Sequence, residues 1–276
     1  MKSYLLIRNS TAMRIFLLTL LVLANCTQKK LLEDPAEIRN GLAYKKGTSE
    51  LFNGIRTGYK NGKVFFKIKY EKGIKNGKAT WFHENGQKEF EGEIINGNKE
   101  GEWKSWYENG ALSMETTYSN NKQNGKQTDY YPNGKISAIS FKKDDKLHGI
   151  NKSFDENGNR ETEANYENGI VSGQVIGYFD NGQIDDILNY VNGLRQGEVI
   201  FFYKNGALKS KGNYKDDKLE GSMTVYYKNG QICATGHNKI GKLEGEWSYY
   251  DSLGHLLEVR FYKDSVLLNT IKTNRN

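Results

Sequence analysis

From about residue 42 onward, apolar and polar positions alternate in short runs, and glycines interrupt those runs at fixed intervals. An Asn-Gly or near equivalent ends one run at Gly62, Gly86, Gly110, Gly134, Gly158, Gly182, Gly206, Gly230 and Gly254, each 24 residues after the last. A second glycine recurs with the same period at Gly77, Gly101, Gly125, Gly149, Gly173, Gly197, Gly221 and Gly245. Such a period marks an array of one supersecondary unit and overrules any domain count taken from length alone. Alternation with period two is the strand signal. Two aromatic-rich runs about an Asn-Gly read as a hairpin, because a type I′ turn needs positive φ at both central positions. A second turn follows each returning run, as at Asn168-Gly169, Asn192-Gly193 and Asp216-Asp217. The pattern predicts an all-β fold, an elongated repeat array in which 24-residue β-hairpin units form a single antiparallel meander over residues 42–262. Residues 263–276 are expected to add a cap strand and tail that blunt the open edge.

A two-residue Asn205-Gly206 loop sets the cross-strand partners. Tyr203 then opposes Leu208, Phe201 opposes Ser210, Val199 opposes Gly212 and Gly197 opposes Tyr214, all on one face. On this reading the second glycine makes room for a tyrosine ring, Gly197 for Tyr214, Gly173 for Tyr190 and Gly101 for Tyr118. The same face collects Trp103, Val175 and Trp247, with Leu112, Ile136, Ile184, Ile232 and Leu256 from the returning strands. The opposite face is polar apart from one position, held by Phe82, Trp106, Tyr130, Phe154, Tyr178, Phe202, Tyr226 and Tyr250. Counting from the same loop sets these against Glu89, Ser113, Ser137, Glu161, Asp185, Lys209, Cys233 and Leu257. Successive copies lie two strands apart, about 10 Å, so the rings form a column in an array on the order of 80 to 90 Å long. The column is the candidate binding surface, since a solvated protein gains little from exposing rings in line. The competing reading folds the same rings into the array's own core.

Ahead of the array, Lys2, Arg8 and Arg14 precede the apolar stretch Ile15–Ala24. That stretch is too short to cross a bilayer comfortably and reads as a signal peptide over residues 1–25. Residues 26–41 contain Pro35, charges and little periodicity, and read as a tether with one helical turn. The formal charge of the whole chain is +7, from 40 basic and 33 acidic residues, and removal of three leader cations leaves about +4. So small an excess, with Lys and Glu interspersed, is an ordinary solvated surface and excludes nucleic acid as the expected partner. No catalytic or metal site is expected. His83, His148, His237 and His255 fall at different repeat positions without zinc-ligand spacing. Asp144-Asp145 and Asp216-Asp217 read as turn formers ahead of calcium ligands. Ser252 and Cys233 have no convergent base, and no glycine run opens a helix with a following Lys and Ser/Thr to hold phosphate. The expectation is therefore a protein that is not an enzyme, with no cofactor and no small-molecule substrate.

Two resemblances add to this. The run Leu23-Ala24-Asn25-Cys26-Thr27 resembles a bacterial lipoprotein signal. The resemblance implies cleavage before Cys26, lipidation of that residue and export to a membrane, the outer one because Thr27 replaces a retaining Asp. With Cys26 lipidated, Cys233 has no intramolecular disulfide partner, so stability rests on strand pairing and packing. The copies, exemplified by Tyr107-Glu-Asn-Gly110-Ala-Leu, Tyr131-Pro-Asn-Gly134-Lys-Ile and Leu219-Glu-Gly221-Ser-Met-Thr-Val-Tyr226-Tyr-Lys-Asn-Gly230, resemble the MORN repeat variant over roughly residues 42–262. Members of that family are often labelled antitoxin components, which implies a protein-protein contact, and related arrays are linked to membrane attachment and scaffolding. Taken with the lipoprotein resemblance, the expectation is an envelope-anchored protein-interaction or scaffolding module with a protein partner. The alternatives are an antitoxin-like or immunity-like protein that neutralises a toxin, and a glycan-binding or peptidoglycan-binding repeat protein.

Overall fold

The computed structural model describes residues 34–273. The leader, Cys26 and the final residues of the chain lie outside the described residues. Among the described residues every regular element is a strand, 24 in all. The chain divides into two compact units, one ending at Asn98 and the other beginning at Lys99. In each, strands that follow one another in the chain pair antiparallel, so each sheet is a meander and is not closed on itself.

The first unit contains the strands Gly54–Lys60, Lys63–Glu71, Ile74–Phe82 and Lys88–Ile95. A separate hairpin, Ala36–Arg39 with Leu42–Lys45, precedes them. Over residues 36–41 this hairpin stands where the expected tether was given a helical turn, the rest of that expectation lying outside the described residues: Asn40 and Gly41 take φ of +52° and +81°, which suits a two-residue primed turn. The hairpin is held to the meander through backbone bonds, with Ala43 N–H donating to the Gly73 carbonyl at 2.8 Å and Gly73 N–H donating to the Phe52 carbonyl at 2.9 Å. Arg56 and Asp34 add an ion pair at 2.7 Å.

The Asn-Gly turn is the expected two-residue loop at Asn61-Gly62, where both φ are positive (+53° and +75°) and Lys60 pairs with Lys63, but from Gly86 onward it is longer. At the Asn-Gly loop, Tyr203 N–H donates to the Ala207 carbonyl and Gly206 N–H donates to the Tyr203 carbonyl, both at 2.8 Å. Three residues, Lys204, Asn205 and Gly206, therefore form the loop, and Gly206 alone carries positive φ, +81°. Asn205 acts through its side chain instead, its Oδ1 accepting the Ala207 N–H at 3.1 Å. In these copies the two-residue turn is the other one: φ is positive at both Asn192 and Gly193 (+50° and +82°) and at both Asp216 and Asp217 (+49° and +64°). The extra loop residue shifts the register by one. Gly197–Tyr214, Val199–Gly212 and Phe201–Ser210 pair as expected, but Phe202 then pairs with Leu208 across a bulge at Lys209, in place of Tyr203.

The second glycine also has a different cause from the one expected. Gly197 does pair with Tyr214, yet a Cβ built on it meets nothing within 4 Å. What it supplies is φ of +82°, where pairing with the preceding strand skips from Tyr190–Arg195 to Ile187–Ile200. An irregularity of this kind needs a residue that tolerates the left-handed region.

Both margins of the second unit's sheet carry bonds that recur with the repeat. On the loop margin, the hydroxyls of Tyr107, Tyr131, Tyr203 and Tyr227 donate to the carbonyls of Tyr130, Phe154, Tyr226 and Tyr250, at 2.6 to 2.8 Å. Asn181 Nδ2 likewise donates to the Lys204 carbonyl at 2.8 Å and Asn229 Nδ2 to the Ser252 carbonyl at 2.7 Å. On the other margin, Asp217 N–H donates to the Arg195 carbonyl at 3.2 Å and Arg195 N–H donates back to Asp217 Oδ1 at 3.0 Å. Asp145 and Gln123 form the same reciprocal pair, so both Asp-Asp turns clasp a neighbouring copy. The equivalent of the hydroxyl donor at position 179 is Phe, which cannot donate. Phe179→Tyr is expected to add the missing bond and stabilise the protein by about 0.5–1.5 kcal/mol, while Tyr203→Phe loses a similar amount. Thermal melts of the two variants moving in the same direction would sink this account.

Burial in the second unit falls mainly on one face, with Thr128, 6% exposed, an exception on the column face. Trp103, Thr116, Ser140, Ala164, Val199, Ser210, Ala234 and Trp247 are all below a tenth exposed, and ladder pairing sets them on the face away from the ring column. Trp103, Val175 and Trp247 thus occupy the packed face as expected. Leu112, Ile136, Ile184, Ile232 and Leu256 do not, because the bulge pairs each with a column ring instead. The last strand, Val266–Lys272, pairs with Leu256–Lys263 and leaves Val266, Leu267, Leu268 and Ile271 exposed.

Candidate interaction surface

Each column ring ends an outgoing strand, with one residue between it and the three-residue loop. In the second unit Trp106 pairs with Leu112, Tyr130 with Ile136, Phe154 with Arg160, Tyr178 with Ile184, Phe202 with Leu208, Tyr226 with Ile232 and Tyr250 with Leu256. In the first unit Phe82 pairs with Lys88. The expected partners Glu89, Ser113, Ser137, Glu161, Asp185, Lys209, Cys233 and Leu257 are displaced by one residue for the reason given above. All eight rings are half-buried. They are neither free in solvent nor as buried as Trp103, so they remain available for contact at their edges.

Two residues before each ring, on the same face, lies a second row that pairing carries from strand to strand. In the second unit it reads Lys104, Glu115, Thr128, Ile139, Lys152, Glu163, Ile176, Ile187, Ile200, Lys211, Thr224, Thr235, Ser248, Val259. Its first part is ionic. Lys104 and Glu115 pair at 2.7 Å, and the Tyr130 hydroxyl donates to Glu115 Oε2 at 2.8 Å. Burial, reinforced by that carboxylate, pushes the Tyr130 hydroxyl up to about 12, so the ring stays neutral. Glu163 pairs with Lys152 at 3.4 Å and Arg160 at 3.2 Å, and the Arg160 guanidinium lies 5.2 Å from the centre of the Tyr178 ring. The middle of the row is apolar. That run escaped the sequence reading, although laying the copies over one another at the position two before the ring would have exposed it.

The surface can make apolar, cation–π and ionic contacts, but it gathers no reactive groups. Among the described residues no cluster of His, Cys, Asp or Glu could hold a metal ion. His255 bonds Asp251 and His237 contacts Ser222, in separate places. A depression lined by Glu102, Trp103, Lys104, Glu115, Thr116, Thr117, Lys126 and Thr128 is open and largely polar. Among the described residues no helix is long and apolar enough to cross a membrane.

Seven segments match the family described as MORN repeat variant, at residues 75–96, 99–120, 123–142, 147–168, 195–216, 219–237 and 243–264, together more than half of the chain. The copy between 168 and 195 lies outside those segments yet builds the same pair of strands, Ile170–Tyr178 and Ile184–Val191. No curated protein matches the chain. Among solved structures, a crystal structure of TcdB2-TccC3-TEV is similar at 10% identity, covering 80% of this chain and 14% of that one, with a TM-score of 0.17. The chain thus spans about 14% of that structure's length, and a likeness this slight informs neither fold nor function.

Proposed function

The chain belongs to the MORN repeat variant family, whose repeats commonly mediate protein or membrane-lipid interactions, and from that premise we propose a non-catalytic, envelope-anchored module that binds a protein through its ring column. The observation that carries this reading is the set of eight aromatic side chains at one repeat position, all half-buried, whose neighbours vary from copy to copy. A repeating polymer such as a glycan favours the same polar group beside every ring, whereas here Thr, Lys, Ile and Ser occupy the adjacent row. Tyr and Trp suit protein recognition because they offer large area and a polar edge with few rotors to immobilise. Anchoring rests on the leader and Cys26.

The test uses cells producing the full chain with a photo-crosslinking amino acid at Lys126, which is exposed on the column face. The probe is expected to capture a partner in the membrane fraction. The triple variant W106A/Y130A/Y178A is expected to reduce capture several-fold with an unchanged circular dichroism spectrum, and Cys26→Ser is expected to move the protein out of that fraction. An undiminished adduct in the triple variant removes the column from the binding surface, and loss of folding assigns the rings to the core.

A further inference from the structure

The dipeptide Asn-Gly occurs fifteen times in the chain, and it carries a reaction of its own. The glycine nitrogen, which no Cβ shields, can attack the side-chain carbonyl carbon of the asparagine before it. A Gly N–H held by an acceptor must first give up that bond, and a ladder or cap that fixes the Asn must first open. Local structure therefore sorts these chemically identical pairs by rate, and it holds most of them. In the three-residue loops from Gly86 to Gly230 the Gly N–H donates to the carbonyl three residues before it, at 2.8 to 2.9 Å. In the two-residue turns Gly97, Gly169 and Gly193 donate to the carbonyls of Lys75, Leu147 and Val171 at 2.8 to 3.0 Å, each in the copy before. The side chains of Asn53 and Asn76 accept the N–H groups of Lys72 and Asn96 at 2.7 and 3.0 Å, and Gly125 is paired with Lys142 inside a strand.

Two pairs escape. At Asn61-Gly62 both residues are exposed, with φ of +53° and +75°. Among the described residues neither the Gly62 N–H nor the Asn61 side chain has a hydrogen-bond partner, and a Cβ built on Gly62 meets nothing within 4 Å. The cause is the length of the loop and its place in the array. A two-residue primed turn leaves the N–H of its second residue outside the hairpin's own bonds, and Gly54–Lys60 opens its meander, so no earlier copy supplies an acceptor. Asn40-Gly41, in the hairpin ahead of the meander, is the same case. Its φ values are +52° and +81° and both residues are exposed. Again, neither the Gly41 N–H nor the Asn40 side chain is bonded among the described residues.

We infer that Asn61 and Asn40 are sites of spontaneous deamidation in the folded chain, and that its other Asn-Gly pairs are protected. At Asn61 the Gly62 nitrogen loses its proton to hydroxide and bonds to Cγ. The Cγ–Nδ2 bond breaks, and that nitrogen takes a proton from water and leaves as ammonia. Water then opens the resulting succinimide at either carbonyl. Breaking the new C–N bond leaves an aspartyl residue, and breaking the original peptide bond leaves an isoaspartyl link that runs through the side chain. Either product sets a carboxylate between Lys60 and Lys63, and the isoaspartyl one adds a backbone atom to a turn of only two residues. The reaction does not involve the ring column and is independent of the interaction reading.

Peptide mapping by mass spectrometry tests this on the purified full chain, incubated folded and, in parallel, unfolded in denaturant at the same mildly alkaline pH. In the folded chain Asn61 and Asn40 are expected to convert about tenfold faster than Asn192 and Asn205, the factor that one retained hydrogen bond supplies. In denaturant the four rates are expected to converge. Asn61→Gln is expected to abolish conversion at its own turn and leave that at Asn40 unchanged. Equal rates in the folded chain overturn the proposal, as does a held pair such as Asn205-Gly206 converting first. A ranking that persists in denaturant also overturns it, because flanking residues and not the fold would then set the rates. So does a folded chain in which Asn61 and Asn40 stay intact for as long as the unfolded chain takes to convert.

Discussion

Replacing Trp103 with Ala is expected to lower stability by about 3–5 kcal/mol, the range for removing a large aromatic from a packed core. Its side chain is fully buried. The ring meets Tyr118 edge-on at 5.8 Å between centres, the Lys99 ammonium lies 4.7 Å from its centre, and the indole N–H donates to the Glu100 carbonyl at 3.2 Å. Deletion leaves a cavity under a sheet whose backbone cannot collapse without breaking ladder bonds. Trp106, three residues on and on the other face, is only half-buried, so its replacement by Ala is expected to cost clearly less. Chemical denaturation of the two variants followed by circular dichroism measures the difference. Equal losses would make the column part of the core and remove the reason for calling it a surface.

A glycine series gives the second large effect, and it separates two physical causes. Gly197 has open space around its absent Cβ and φ of +82°. Alanine there is expected to cost about 1–2 kcal/mol, the left-handed penalty for an L-residue. Valine should cost more and asparagine less, because Asn tolerates that region. Gly236 is the opposite case: its φ is outside the left-handed region, but a Cβ would fall on the indole ring of Trp247. Ala and Asn are both expected to cost about 1–3 kcal/mol at Gly236 through overpacking, and trimming Trp247 should relieve part of the loss. Thermal melts that rank Asn with Val at Gly197 would show that the site is limited by space after all.

The fold class was legible because the repeat restates one pattern many times, and each restatement averages out local ambiguity. Pairings such as Gly197–Tyr214 and Phe201–Ser210 could be counted correctly from composition and parity. The turn type could not. Asn-Gly suits a type I′ loop, but it also suits a three-residue loop in which Asn caps through its side chain and Gly alone is left-handed. Choosing between them depends on the Tyr203–Ala207 backbone bond, which no residue preference announces. One loop residue then moved the aliphatic that begins each returning strand, such as Leu112, Ile184 and Leu256, from the Trp-rich side to the column. The role of the second glycine was obscured for a similar reason, since conformational need and steric need both select glycine. Gly236, whose Cβ would meet Trp247, shares its repeat position with Gly92 and Gly212 and with the small Thr116, Ser140 and Ala164, a weaker periodic signal than the two turn glycines, whereas Gly177, whose Cβ would meet Asp186, has no glycine at its equivalents Ser153 and Phe201.

Within each unit, the strands pair with those nearest to them in the chain, and the bonds along both margins join residues only 22 or 23 positions apart. For a β-protein this is an unusually local set of contacts, and folding speed rises as contact order falls. Each hairpin can close before the rest of the chain has been made and then serve as a template for the next. A chain emerging from any narrow channel, or one pulled back through it, can therefore gain or lose structure one hairpin at a time.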